Sequence, residues 1–150
     1  MAKNNRDDFD QDTIRKAGER VALLCSMCGC ITKAASEEGV DKVANIGVAA
    51  HICAAAPGGK RYDKTMTSAQ RKSIENCIWL CQTHAKLIDS DAIKYSRGYL
   101  EQIKKAAEEK AAKALTEGSK MFEEIQTGEV NFDKIETILN DKVIKGEYIE

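Results

Sequence analysis

Two pairs of side chains in this sequence have the types and the spacing of metal ligands. Cys25 and Cys28 are separated by two residues, and so are Cys81 and His84. Thiolate sulfurs and imidazole nitrogens are donors that zinc prefers, and a two-residue spacing lets one turn offer two of them to a single ion. Cys25, Cys28, Cys81 and His84 together form a Cys3His set. Such a set closes a tetrahedron and leaves no position for substrate, so the expected ion is a structural zinc. The pairs are 52 residues apart, which means the ion would close a large loop. Cys30 competes with Cys28 as a ligand, and the two-residue spacing favours Cys28. The second histidine, His51, lies in Ala49-Ala50-His51-Ile52. Imidazole is the side chain best suited to exchange a proton near neutral pH. By itself, a single histidine in an apolar strand is an ordinary core residue.

The elements around these residues follow from patterning. Residues 1–12 are polar and charged at the start and read as a disordered N-terminus. Ile14, Ala17, Val21 and Leu24 recur at helical spacing and predict a helix over 13–25, weakened by Gly18 by about 1 kcal/mol relative to Ala. Cys25 to Cys30 is a tight turn and residues 33–42 a loop. Val43, Ile46, Val48 and Ile52 predict a strand over 43–52, closed by Pro57-Gly58-Gly59. Thr67 and Gln70 have the spacing of a capping box and start a short helix. Cys77 to Leu80 reads as a second strand, followed by a short helix over 83–88. Leu100, Ile103, Ala107 and Leu115 mark one face of a helix over 99–115, with Gly118 as its stop. Met121, Phe122 and Ile125 form one further amphipathic set. Asn131 caps another with Phe132, Ile135, Ile138 and Leu139, and 143–150 is a candidate strand. The fold class expected is α+β, with a domain over 13–117 and an appendage of unread role over 118–150.

Composition narrows the classes of function. The chain has 150 residues, 31% charged and only 5% aromatic, with a net charge of −1. A modest core of this kind gains from a metal staple. The molecule as a whole does not advertise nucleic-acid binding, so any basic surface must be local. No apolar run approaches the roughly 20 residues that span a bilayer, and the first residues have no apolar signal region. Six cysteines without an export signal point to thiols and metal rather than disulfides, and to a cytoplasmic protein. Cys53 and Cys77 read as small core residues. A weaker alternative makes Cys30, Cys53 and Cys77 the basis of a redox or zinc sensor.

The order of strand with His51, Gly-Gly loop, Asn76, strand, Cys-x-x-His and short helix resembles the HNH endonucleases, whose core is the ββα-metal motif. It is most similar to the HNH effector domains of bacterial anti-phage systems. The likeness is carried by Ala-Ala-His-Ile at 49–52, Pro-Gly-Gly-x-Arg-Tyr-Asp at 57–63, Met-Thr at 66–67, Asn-x-Ile-Trp-Leu-Cys at 76–81 and Ile-Asp-x-Asp at 88–91. It spans about residues 20–95. The resemblance implies that His51 is the general base that takes a proton from water. It implies that the Asn76 amide bridges the loop between the strands and holds the His51 ring in register. It implies one hard cation, magnesium or manganese, at the phosphate, and products with 5′-phosphate and 3′-hydroxyl ends. Many members of the family bind that cation through an acid or histidine before the base and a histidine after the second knuckle. Here those positions are Ala50 and Ala85. Asp89, four residues past Ala85 and so on the same helical face, is the substitute expected first, and Asp91 the second.

Residues 51–80 hold five basic side chains, Lys60, Arg61, Lys64, Arg71 and Lys72, against two acidic ones. Local positive charge beside the base suits a DNA backbone and carries no base readout, so little sequence specificity is expected. The reading is a metal-dependent DNA endonuclease, an anti-phage effector gated by other domains, a regulatory partner or self-assembly through the C-terminal region. The alternative is a zinc-stapled binding module that has lost cutting.

Overall fold

The computed structural model describes residues 6–127, with side chains through residue 118. The chain divides into two compact units, Met1–Ala112 and Lys113–Glu150. All that positions the candidate site lies in the first. It is an α+β unit with two separate two-stranded antiparallel sheets and flanking helices.

Helix α1 runs Gln11–Glu19, with the Asp10 side chain accepting a hydrogen bond from the Thr13 amide at 2.7 Å. It ends six residues before the expected point because Ala22 and Leu23 take left-handed backbone conformations. Those turn the chain into the cysteine turn. The expected loop at 33–42 begins with a strand, β1 (Lys33–Ala35), which pairs with β2 (Val43–Asn45) in an exposed hairpin. The single strand expected over 43–52 is therefore two. It breaks at Ile46, whose amide bonds the Thr32 carbonyl at 2.8 Å, and resumes as β3 (Gly47–His51).

Strand β3 pairs with β4 (Cys77–Cys81) in the register Gly47 opposite Cys81 to His51 opposite Cys77. Between them lie the short helix α2 (Ser68–Arg71) and a 3-10 turn at Ile74–Asn76. The capping box forms as the spacing requires: the Thr67 hydroxyl accepts from the Gln70 amide, and the Gln70 side chain accepts from the Thr67 amide. Helix α3 (Gln82–Ser90) follows β4 directly, and α4 (Arg97–Thr127) begins after a turn. Gly118 does not stop α4, which continues through the positions of Met121, Phe122 and Ile125. The expectations for residues 131–139 and 143–150 lie outside the described residues. Within the described residues no helix is long and apolar enough to cross a membrane.

Alternation along the β3–β4 ribbon sorts its side chains onto two faces. Ile78, Leu80, Val48 and Ala50 pack with Cys25, Ile52, Cys53, Ala85, Ile88, Tyr95 and Leu100. Cys77 and Ala49 face the other way, onto Phe9, Ile14 and Ala17. Cys53 and Cys77 are buried, as expected of small core residues. Trp79 lies on the α1 side, so close to Gly47 that an added Cβ would fall 1.9 Å from the indole. Its Nε1 donates to the buried Thr32 hydroxyl at 2.9 Å. Phe9 is itself buried, so the disorder expected over 1–12 fails for residues 6–12. An aromatic ring one residue before a helix cap, packed toward Ile14, is a hydrophobic staple, and that contact fixes the segment.

Candidate metal centre and adjoining cleft

The first knuckle is shaped by backbone bonds. The Cys25 amide donates to the Cys30 carbonyl at 2.8 Å, and the Gly29 amide to the Cys25 carbonyl at 2.9 Å. Gly29 has φ of +73°, a conformation that favours glycine and lets the turn close. The Ser26 amide donates to the Trp79 carbonyl at 2.9 Å, which moors this knuckle beside β4. The second knuckle grows from the strand-to-helix junction. Cys81 is the N-cap of α3, its sulfur accepting from the His84 amide at 3.5 Å, so one side chain both starts the helix and faces the metal position.

The ligand atoms of Cys25, Cys28, Cys81 and His84 all lie within 4.8 Å of one another. Cys81 Sγ is 3.1 Å from His84 Nδ1, Cys25 Sγ is 3.9 Å from the same nitrogen, and Cys28 Sγ is 3.9 Å from Cys81 Sγ. Tetrahedral zinc bonds of about 2.3 Å to sulfur and 2.05 Å to nitrogen put sulfurs about 3.8 Å apart and sulfur about 3.5 Å from nitrogen. The set therefore fits a metal such as zinc. Cys28 belongs to the cluster and Cys30 does not.

His51 ends β3 and is half-buried. Its ring stacks on Phe9 with centroids 3.8 Å apart and planes 12° apart. Nε2 lies 2.8 Å from the Asp7 carbonyl oxygen. A carbonyl only accepts, so the proton is on Nε2 and Nδ1 keeps its lone pair. Burial holds the imidazole below its ordinary pKa of 6.5, against the opposing pull of the Asp7 carbonyl and the Asp8 carboxylate. A cleft of about 430 Å³ runs along β3, lined by Ala50, His51, the 54–60 loop with Lys60, Ala85, Asp89 and Arg6. Among the described residues, Asp89 supplies the one carboxylate side chain of this lining.

Asn76 is buried and sits where the strands converge. Its Oδ1 accepts from the Cys53 amide, and its Nδ2 donates to the Cys53 and Arg71 carbonyls, at 2.9 to 3.0 Å. Asn76 thus ties together the backbone just after His51 and the end of α2.

Three expected site residues are placed otherwise. Arg61 turns inward and donates to the carbonyls of Ile52, Ile88 and Tyr95 at 2.6, 2.8 and 3.2 Å. The Ile88 and Tyr95 carbonyls lie near the end of α3 and in the turn before α4, so Arg61 joins the site's elements and its bonds are made within the fold. Arg71 is 11% exposed, bonded to the Asp7 carboxylate and the Asp63 carbonyl and laid over the Tyr62 ring, so it too is engaged within the fold. The Asp91 carboxylate accepts from the Ile93 and Lys94 amides at 3.1 and 2.8 Å. It shapes the turn after α3 and does not line the cleft. Lys60, Lys64 and Lys72 are exposed, and of these Lys60 lines the cleft. What sequence reasoning missed is Arg6, Asp7 and Phe9. The signal that could have found them was the staple pattern, Phe9 before the Asp10 cap with Ile14 at the fifth position beyond. No family model matches the sequence, and no curated protein is significantly similar to it.

Proposed function

We propose that the chain is a metal-dependent HNH endonuclease of the ββα-metal type, cutting DNA with little sequence specificity, and that it serves as a regulated effector in anti-phage defence. The observation that carries this reading is His51, its Nε2 held and its Nδ1 left as acceptor, sharing one cleft with Asp89. In this reading His51 Nδ1 takes a proton from water as the oxygen attacks phosphorus. The bond from phosphorus to the 3′ oxygen breaks, that oxygen takes a proton from solvent, and the ends are 5′-phosphate and 3′-hydroxyl. Asn76 holds the backbone beside the base. Lys60 and Arg6 lend positive charge to the cleft. Magnesium or manganese, when bound, supplies positive charge against the phosphate. Asp89 is the residue that would hold it, and magnesium is commonly held by one or two carboxylates together with substrate phosphate. The Cys3His zinc is a staple in this account.

Nicking of supercoiled plasmid with magnesium or manganese tests the reading. Wild type is expected to nick, and His51→Ala to lose about 100-fold or more of the rate. Equal nicking by both proteins rejects His51 as the base. One observation favours a second reading, a zinc-stapled interaction module without cutting activity. Ala50 and Ala85 line the cleft where related enzymes carry metal ligands. Absence of nicking by wild type with either ion would favour it over the first.

A further inference from the structure

Residues 6–10 lie outside every motif of the HNH resemblance, yet they make the direct contacts to the His51 ring. The Asp7 carbonyl accepts from His51 Nε2, and the Phe9 ring covers one face of the imidazole. The rotation of a histidine ring about its last bond is broad, so a hydrogen bond and a stacked ring together are what fix its plane. Asp7 is in turn held at three points. Its amide donates to the Ala55 carbonyl at 3.0 Å, just beyond β3. Its carboxylate accepts from the Ser68 hydroxyl at 2.5 Å and from Arg71 at 3.3 Å. Arg71 is fixed by the Asp63 carbonyl and the Tyr62 ring, and its own carbonyl is bonded by Asn76.

We infer that the segment Arg6–Asp10 is a built part of the proposed active centre, with Asp7 and Phe9 as positioning residues for His51 and Arg71 as the anchor that holds them in place. This rests on the reading of His51 as the base. Arg71, expected from the sequence to meet DNA, acts instead through Asp7 on the imidazole. The same segment brings Arg6 into the lining of the cleft, next to the His51 edge of the sheet. The charged groups about the ring are Arg6, Asp7 and Asp8 on the segment, Lys60 on the loop and Asp89 on α3. Cys77, opposite on β4, has its thiol pushed up to about 12 by burial and stays neutral.

The test uses the 150-residue chain loaded with zinc and the variants Asp7→Ala, Phe9→Leu and Phe9→Tyr, with zinc content and thermal unfolding as the check of folding. The sequence has two histidines and His84 belongs to the metal set, so His51 is the one ring expected to titrate in long-range nitrogen–proton spectra. In wild type the neutral ring is expected to carry its proton on Nε2. Asp7→Ala and Phe9→Leu are expected to shift the tautomer ratio, and Phe9→Leu, which uncovers the ring, to raise the midpoint of the titration. In nicking assays kcat is expected to fall roughly tenfold with KM changed less than about twofold, and the acid limb of the Phe9→Leu profile to move to higher pH. Phe9→Tyr, which keeps the stacked ring, is expected to restore the wild-type spectrum and profile. If Phe9→Leu fails to fold, the tautomer in Asp7→Ala decides. Folded, zinc-loaded variants with the wild-type tautomer, midpoint and profile would overturn the inference and leave the segment a helix staple alone. Wild type that does not nick, with a tautomer that still responds to Asp7→Ala, would reject the nuclease reading and uphold the positioning of the ring.

Discussion

His51 illustrates how neighbours define a side chain. The imidazole is held below its ordinary pKa by burial, so it stays neutral to lower pH than a solvated histidine, the state the proposed base requires. The acid limb of the nicking rate is therefore expected below pH 6.5, checked by a pH–rate profile beside the His51 titration. The same depression has a consequence for stability. The unfolded chain binds a proton near 6.5 and the folded chain only at lower pH. Stability from this group is thus complete above about 6.5 and is lost as pH falls toward the folded value. Arg61 makes a different residue-scale prediction. Its guanidinium serves three carbonyls, and removing it leaves buried acceptors without partners. Arg61→Ala is expected to cost about 3 kcal/mol or more in denaturant unfolding. Arg61→Lys should rescue little of this, because a single ammonium does not reproduce the planar fork. Lys64→Ala and Lys72→Ala, at exposed positions, are expected to leave stability within about 0.5 kcal/mol.

Elements in this protein are joined by contacts that a linear pattern only half reveals. The β3–β4 ribbon has a core on each face, and Trp79 reaches Gly47 and Gly18 with its indole. The 3.2 Å approach of the indole to a Cβ at Gly18 gives a packing reason for a glycine that weakens α1. At Gly47 the overlap is far greater. Gly47→Ala is expected to destabilise by at least about 1–3 kcal/mol through overpacking, measured by thermal unfolding. The Cys81 junction combines strand end, candidate metal ligand and helix cap in one residue. That economy explains why a Cys-x-x-His at the end of an apolar strand is legible in the sequence: knuckle, strand end and helix start share the same four residues. The 33–46 hairpin was not readable, because its strands of three residues are exposed on both faces and carry no alternation of apolar and polar positions.

The Cys3His set ties residues 25–28 to residues 81–84, and with them the turn after α1 to the start of α3. Metal binding at such a site couples directly to folding. Removal of the metal by chelator, or Cys81→Ser, is expected to lower the thermal midpoint by more than about 10 °C. Metal analysis of protein purified without chelator is expected to give one zinc per chain, and none would remove the staple. Asn76→Ala is expected to keep that zinc while slowing nicking. By itself the sequence determined the features whose cause is local. The two knuckles, the capping box at Thr67 and the apolar strand at Cys77–Leu80 each follow from spacing within a few residues. Only the tertiary structure decided which charges face inward. Arg61 and Arg71 lie in a basic stretch that composition reads as surface, and their directions are set by carbonyls, a carboxylate and a ring brought there by the fold. It likewise brought Asp7 and Phe9 to His51 across more than forty residues. A contact of that separation is fixed by how layers pack, and no local pattern encodes it.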